Sequence, residues 1–364
     1  MNSEQIARIA GVSRSTVSKV LHNYPDIPED TKRKVLRVAS AYGYKPDVVP
    51  QLIKSSFQKT IGMYYFSKFE ENIFERFNAN YNIALLVSVS TEAKQRGYSV
   101  LFDVIDLTRG QEALLASIDE DFNNKRISTA VFVGLDDDCG FITKLARPDR
   151  HIIVLDKEFD TSTGLRCLFS NDLSSAMRAC KHLYDNGFTK IMHIAGDQRK
   201  LAGRKRKEGY LRVLGKFNKE YGTKVQPLIM EGRFTIEHGY NSGKAFIEQR
   251  LYEQYDGILC GSDMIGVGFI KCLNDLEPKL LERIGVIGFD NEPEDVFVKP
   301  SLTTLAPDYR YFARMIFDLE QNYEEFKAGV SVKIEQQLLV RDSSVPYAKR
   351  RSNLPLQEYI GVRT

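Results

Sequence analysis

Seven short apolar runs, separated by segments of helix length, determine what most of this chain can fold into. Runs of this kind are typical of strands buried on both faces, and strands that alternate with helices form parallel sheets covered by helices. The spacing predicts two tandem α/β lobes over about 60–345, joined near 157–170 and again near 290–305. Ligands of open α/β sheets bind beyond the carboxyl ends of the strands, so a ligand cleft is expected there. The runs are 60–66, 98–104, 129–135, 151–156, 190–196, 256–262 and 283–290.

The first 45 residues carry a different pattern, which predicts three short helices. Ile6, Ile9 and Ala10 recur at helical spacing until Gly11 breaks the run, and Ser13 can cap a second helix. A third helix is expected over 28–44, and Gly43 stands where a left-handed cap belongs. The second helix has an apolar stripe of Val17, Val20 and Leu21, and the third has one of Val35, Val38 and Tyr42. The other face of the second helix carries Arg14, Ser15, Thr16, Ser18 and Lys19. An apolar back with a small, polar, basic front suits the major groove of DNA.

The distribution of charge along the chain agrees with a DNA-binding N-terminal segment. Residues 1–60 hold ten Lys or Arg and five Asp or Glu, a net charge of +5. The whole chain carries +3, so the remaining 304 residues sum to −2. The positive charge therefore lies at the end with the DNA-binding pattern, as attraction to phosphate requires.

Several other classes are disfavoured. The five cysteines are scattered without a CxxC pair, which argues against a disulfide framework and a zinc site. The run Asp136–Asp138 suggests a metal cluster, but consecutive side chains diverge, so a loop is expected and no cofactor. No P-loop, GxGxxG or GxSxG motif is present and the five histidines are dispersed, so the chain is not expected to be an enzyme. The absence of an apolar signal core or membrane span predicts a soluble cytoplasmic protein rather than an exported solute-binding protein.

The segment AGVSRSTVSKVL, followed by a third helix ending in GYKP, closely resembles the DNA-binding headpiece of the LacI family of bacterial transcription regulators. The resemblance continues to about residue 345 and is carried by 195–210, 257–268, 283–291, 300–305 and 338–344. It implies an all-α helix-turn-helix headpiece followed by a two-lobed α/β core like that of periplasmic sugar-binding proteins. The implied divisions are a headpiece at 1–45, a hinge at 46–59, a core at 60–345 and a tail at 346–364. Lobe 1 is expected at about 60–160 and 295–328, and lobe 2 at about 161–294 and 329–345.

The resemblance also implies how DNA is bound. Arg14 and Ser15 match the positions that read bases, and Arg14 suits guanine. Lys19 stands where the family usually has Arg, so it keeps the charge and loses the planar fork. Thr16, Ser18 and His22 are expected on phosphates. In the hinge, Asp47 and Pro50 depart from the family pattern, and Ile53 falls at the position that wedges into the minor groove. A homodimer on a palindromic operator follows from the family, and the tail lacks the heptads of tetrameric members.

In the core, the resemblance places a small-molecule effector between the lobes. Arg206 matches the arginine of the family's RxxGY segment, and Asp290 matches its strand-end acid. The other family positions are Asp156, Ser262, Asp263 and Phe234, and Tyr65 and Phe74 are further stacking candidates because the chain has no Trp. Four of these residues have a structural alternative: Arg206 on a solvated helix face, Asp263 or Asp290 as a helix cap, and Phe234 in the core. A carbohydrate is the expected effector and a nucleobase the alternative; the sequence leaves open whether it releases DNA or is needed for binding.

Overall fold

The computed structural model describes residues 3–21, 27–41, 60–67, 80–136, 138–326 and 329–350 of the 364. The chain divides into two compact units, Met1–Lys59 and Thr60–Thr364. Within the described ranges, no helix is long and apolar enough to cross a membrane. The following residues named above lie outside those ranges: His22, Tyr42, Gly43, Asp47, Pro50, Ile53, Phe74 and Asp137.

The first unit contains three short helices around a small apolar core. They are α1 (Ser3–Ala10), α2 (Arg14–Leu21) and α3 (Glu29–Ala41). Ile6, Val17 and Val35 are fully buried in the shared core, as their spacing predicted. Gly11 turns the chain between α1 and α2 at a φ of 64°, which glycine adopts without strain. Ile9 is 46% exposed and lies outside this core.

Lobe 1 of the second unit is built on a six-stranded sheet with the order β11-β5-β4-β3-β1-β2, in which all the pairs are parallel. Its strands are β1 (Thr60–Ser67), β2 (Ser99–Asp106), β3 (Thr129–Val133), β4 (His151–Leu155), β5 (Arg166–Ser170) and β11 (Val330–Ile334). Its helices are α4 (Asn80–Arg96), α5 (Gln111–Asn123) and α10 (Tyr309–Gln321). Side chains alternate along β1, so Ile61 and Met63 pack with α4 and α10, while Tyr64 and Phe66 pack with α5.

Lobe 2 repeats this plan with a sheet in the order β12-β10-β9-β8-β6-β7, parallel except where β12 pairs with β10. Its strands are β6 (Ile191–Ala195), β7 (Ile229–Glu231), β8 (Gly257–Cys260), β9 (Gly285–Phe289), β10 (Thr303–Ala306) and β12 (Gln337–Leu339). Its helices are α6 (Asp172–Asp185), α7 (Leu201–Tyr221), α8 (Ile236–Glu248) and α9 (Asp263–Leu276). Tyr210 and Phe217 pack on one face of this sheet, and Phe246 and Phe269 on the other. The predicted fold class is confirmed.

The chain passes between the lobes three times, each time later than predicted. The boundaries expected near 160, 294 and 328 are wrong, because pairing places β5 and β11 in the sheet of lobe 1 and β10 in that of lobe 2. The crossings fall just after β5, between β10 and α10, and between β11 and β12. The crossing after β5 and the crossing after β11 are hydrogen-bonded to each other, because Asn171 N donates to Ile334 O at 2.7 Å. Lobe 2 also runs past the expected limit at 345, because Arg350 Nη2 donates to Leu281 O at 2.7 Å.

Candidate functional site

The outward face of α2 is polar and basic. Ser13 caps the helix as predicted, because its Oγ accepts a hydrogen bond from Thr16 N at 3.0 Å. The Ser13 hydroxyl also shares hydrogen bonds with Ser15 Oγ at 2.7 Å and Thr16 Oγ1 at 2.8 Å. Val17 and Val20 are buried behind this face. Its exposed side chains are Arg14, Ser15, Ser18 and Lys19. Helix α2 thus has the apolar back and basic front of a helix that enters a major groove.

A cavity of about 230 Å³ lies where the carboxyl ends of strands from both lobes meet. Asp156 follows β4 in lobe 1, and Asp290 follows β9 in lobe 2. Most of the exposed lining is apolar. Five of the predicted effector residues line this cleft: Tyr65, Asp156, Arg206, Phe234 and Asp290. Its position is the one expected for a ligand site on open parallel sheets.

Arg206 is the centre of the cleft's polar network. Its guanidinium is buried and donates to Asp172 Oδ1 at 2.8 Å, to Gly261 O at 2.6 Å and to Asp290 Oδ1 at 3.3 Å. Burial raises the pKa of both carboxyls, and the positive charge of Arg206 opposes that shift. The guanidinium carbon also lies 4.2 Å from the centre of the Phe289 ring. Arg206 therefore fixes two carboxylates at the cleft rather than lying on a solvated helix face.

Asp156 is held on the opposite side by a tyrosine. The hydroxyl of Tyr81, on α4, donates to Asp156 Oδ2, and the Tyr81 ring makes an edge contact with Tyr309, 5.7 Å between centres. Asp156 itself has a φ of 55°, in the left-handed region that is uncommon outside glycine. Burial raises the pKa of Asp156 to about 6, although the Tyr81 hydrogen bond opposes the shift. This carboxyl can therefore change its protonation state close to neutral pH.

Two of the predicted aromatic residues, Phe234 and Tyr65, line the cleft. Phe234 is half-buried and packs on Gly196, where an added Cβ would lie 1.9 Å from its Cε1. Tyr65 is mostly buried, and its hydroxyl accepts a hydrogen bond from Asn82 Nδ2 at 3.3 Å. A planar ligand could stack on Phe234 and be bonded at its edge by these polar groups.

Lys200 reaches from lobe 2 to lobe 1 at the rim of the cleft. Its Nζ donates to Gly134 O at 2.8 Å and lies 2.5 Å from Asp136 Oδ1. Asp136 is buried and Asp138 is exposed. Among the residues that the structure describes, no group of three His, Cys, Asp or Glu could hold a metal ion. Asp136 thus takes part in an inter-lobe ion pair.

Ser262 and Asp263 do not line the cleft, contrary to the sequence interpretation. Ser262 Oγ accepts a hydrogen bond from Ile265 N at 3.4 Å and caps α9. Asp263 is fully buried and accepts hydrogen bonds from Thr304 Oγ1 at 2.7 Å and from Glu292 N at 3.2 Å. Both residues follow a strand, but their side chains bond to the interior of lobe 2.

Sequence reasoning missed five polar residues of the cleft: Tyr81, Asn82, Ser170, Asp172 and Lys200. Asp172 follows β5, which the apolar pattern did not indicate, and Tyr81 lies far in sequence from its partner Asp156. The only signal for Lys200 was its place in a basic run after β6. These residues become identifiable once the two lobes are folded.

Comparison with known proteins agrees with this architecture. Residues 4–47 match the lacI family of bacterial regulatory proteins, and residues 180–344 match a periplasmic binding protein-like domain. The HTH-type transcriptional repressor PurR of Histophilus somni (strain 2336) is 25% identical over 346 residues, which are 93% of this chain and 98% of that protein. The PurR repressor of Mannheimia succiniciproducens is 25% identical over 305 residues, which are 83% of this chain and 85% of that protein.

Solved structures have the same fold. The lac repressor dimer bound to operator and the anti-inducer ONPF aligns with a TM-score of 0.70 at 19% identity, over 95% of this chain and 99% of that one. A complex of the transcriptional regulator CelR with cellobiose aligns with a TM-score of 0.64 at 20% identity, over 94% and 99%. A helix-turn-helix unit followed by a two-lobed α/β core defines a DNA-binding transcription regulator. The chain carries the helix-turn-helix domain of the lacI family of bacterial regulatory proteins at residues 4–47.

Proposed function

We propose that this regulator is a cytoplasmic repressor that binds a palindromic operator as a homodimer and is controlled by a small molecule in the cleft. Support comes from the basic face of α2, the cleft between the lobes and the relatives named transcriptional repressors. A single headpiece reads too few base pairs to be specific in a genome, so two are needed. The chain is proposed to catalyse no reaction.

We further propose that the effector is a nucleobase, in place of the carbohydrate expected from the sequence. The observation that carries this choice is the largely apolar lining of the cleft around the Phe234 ring. A nucleobase has two apolar faces and polar edges, whereas a sugar needs hydroxyl partners on most sides. The volume of about 230 Å³ also suits a ligand of one or two rings.

The polar groups of the cleft fit the edge of such a ring. Arg206 already bonds Asp172 and Asp290, so these carboxylates are fixed before a ligand arrives. Fixed acceptors can take hydrogen bonds from ring N–H or amino groups without further ordering. Carbohydrate remains the second candidate, because the three carboxylates of Asp156, Asp172 and Asp290 are also suitable acceptors for hydroxyls.

The effector class is tested by thermal unfolding of the full chain with adenine, guanine, hypoxanthine, xanthine and uracil, and with a panel of mono- and disaccharides. A ligand of the folded state raises the unfolding midpoint. We expect one or more bases to do so and the sugars to have no effect. A response to sugars alone would restore the carbohydrate assignment, and no response from either group would contradict both.

The place of binding is tested by Phe234→Leu, which removes the ring and keeps an apolar side chain. We expect about a two- to tenfold loss of affinity for the base, since aromatic stacking contributes about 0.5–1.5 kcal/mol beyond area burial. Phe297→Leu is the matched control, because Phe297 is 72% exposed and does not line the cleft. Equal losses in the two variants would contradict the cleft assignment.

DNA binding is tested by selecting operators from a random duplex pool with the full chain. We expect the selected sites to be two-fold symmetric, and Arg14→Ala to relax base preference at one position in each half-site. Sites without symmetry would contradict binding as a dimer.

A further inference from the structure

A second cavity, of about 310 Å³, adjoins the effector cleft and shares Ser170 and Asp172 with it. We call it the inter-lobe pocket. Phe169 and Lys333 line it from lobe 1, and Lys205 and Arg212 line it from lobe 2. Lys333 and Phe169 are register partners on β11 and β5, and the Lys333 Nζ lies 5.8 Å from the centre of the Phe169 ring. A ligand in this pocket would contact both lobes.

Positive charge exceeds negative charge in the lining. Lys205, Arg212 and Lys333 contribute three cations, and Glu208 contributes a carboxylate. Asp172 also lines the pocket and pairs with Arg206, a guanidinium that it shares with Asp290, so three cations face two carboxylates in the lining. Arg212 and Glu208 are paired at 2.5 Å, so the two lysines carry the remaining positive charge.

Both lysines are held only loosely. The Lys205 Nζ is 3.6 Å from Glu208 Oε2 and 3.9 Å from Glu158 Oε2, and the Lys333 Nζ is 3.9 Å from Glu158 Oε1. These distances exceed a normal N–H···O hydrogen bond, which is about 2.7–3.2 Å. The ammonium groups can therefore turn toward an anion without breaking strong bonds.

The start of α6 adds to the attraction for an anion. Asn171 stands at the N-cap of this 14-residue helix, yet its side chain makes no capping hydrogen bond and donates to Glu335 instead. Backbone N–H groups at an uncapped helix start favour negative charge. This effect supports the three cations of the pocket and would not define a site by itself.

We propose that the inter-lobe pocket binds a small molecule through a phosphate group, at a site separate from the effector cleft. Phosphate carries nearly two negative charges and several acceptor oxygens, which suits two ammonium groups and a guanidinium fork. The two sites are coupled, because Lys205 and Arg206 are consecutive on α7 and contact one site each. Phosphate binding therefore changes effector affinity, and the effector changes phosphate affinity by the same factor.

The test uses the full chain and inorganic phosphate or pyrophosphate as probes, with ionic strength held constant by sodium chloride. We expect a saturable rise in the unfolding midpoint and at least a tenfold loss of affinity in the double variant Arg212→Gln, Lys333→Gln. The control is Lys216→Gln, Lys219→Gln, which removes the same charge from exposed positions of α7 outside the pocket. No saturable response, or equal losses in the two double variants, would overturn the proposal.

A further titration separates two sources of the phosphate group. If it belongs to an independent metabolite, inorganic phosphate binds while the cleft is saturated with its own ligand. If it belongs to the effector itself, the phosphorylated form of the cleft ligand binds more tightly than the free form, and the Arg212→Gln, Lys333→Gln variant abolishes that gain. The phosphate titration of the unliganded chain does not depend on the effector's identity, so failure of the nucleobase proposal leaves it valid.

Discussion

At the scale of single residues, the cleft depends on Arg206, which bonds the buried carboxylate of Asp172 and the half-buried carboxylate of Asp290. We expect Arg206→Ala to lower the free energy of unfolding by about 3–5 kcal/mol, because Asp172 would stay buried, and Asp290 half-buried, without their cation. Urea denaturation measures this loss. Lys207→Ala is the neighbouring control: its ion pair with Glu231 is partly exposed and should contribute only about 0–1 kcal/mol. Similar losses in both variants would show that the network contributes little.

A second residue-scale prediction concerns the carboxyl pair Asp263 and Asp295, which is buried in lobe 2. One guanidinium, that of Arg341, bonds Asp295 at 3.2 Å, and Asp290 adds a further negative charge nearby. Among the described residues, no hydrogen-bond donor reaches Asp263 Oδ1 or Asp295 Oδ1. Burial raises the pKa of Asp295 to about 7 and that of Asp263 well above its ordinary value. The folded pair therefore keeps a proton that the unfolded chain releases.

Because these pKa values are raised in the folded state, their stabilising contribution is complete at acid pH. It is lost as the pH rises from about 4 through about 7, at up to about 1.4 kcal/mol per pH unit for each retained proton. We expect Asp263→Asn, which mimics the protonated side chain, to weaken this dependence between pH 5 and 8. Urea denaturation at several pH values measures it, with Asp275→Asn as an exposed control. Parallel profiles for Asp263→Asn and the unsubstituted chain would contradict a shared proton.

At the scale of elements, the sequence predicted those whose apolar pattern is unbroken. Strand β5 was missed because its first residue is Arg166, which is buried with its guanidinium carbon 3.6 Å from the centre of the Tyr323 ring. Strand β12 has only three residues, too few for a periodic signal. The omission of β5 moved the first predicted lobe boundary and concealed Asp172, which directly follows the crossing after β5.

Prediction of the candidate site from the sequence has a similar limit. Asp156 and Asp290 were predicted because each ends a recognisable strand and its side chain lines the cleft. Asp263 also follows a recognisable strand, yet its side chain bonds Thr304 in the interior of lobe 2. Position along a strand predicts which end of the sheet a residue occupies. The direction of the side chain depends on pairing with strands distant in sequence, which a single sequence does not show.

The element-scale prediction concerns the start of α2. We expect Ser13→Ala to lower the stability of this helix by about 1 kcal/mol, because Thr16 N would lose its capping acceptor. Hydrogen exchange of the α2 amides should accelerate accordingly, about fivefold, while exchange in the core unit stays unchanged. Ser13→Asp keeps a capping oxygen and should restore slow exchange. Equal acceleration in both variants would show that the cap is not the cause.

At the scale of the whole molecule, regulation requires that a ligand in the cleft bind two arrangements of the protein unequally. Lys200 is suited to link the lobes, because it belongs to lobe 2 and bonds Gly134 O and Asp136 in lobe 1. Asp136 is buried and Lys200 is partly exposed, so the pair is partly desolvated and sensitive to small displacements of either lobe. A ligand that enters beside Lys200 therefore acts directly on an inter-lobe contact.

We expect the cleft ligand to change operator affinity by a factor in the usual range of about 5–150, and operator DNA to change ligand affinity by the same factor. Fluorescence anisotropy of labelled operator with and without ligand measures the first factor, and calorimetry of ligand with and without operator measures the second. Lys200→Met keeps the aliphatic length and removes the inter-lobe ion pair, so it should reduce both factors together. Lys207→Met, a basic residue of α7 outside the cleft, should leave them unchanged. Factors unaltered by Lys200→Met would mean that other contacts between the lobes carry the coupling.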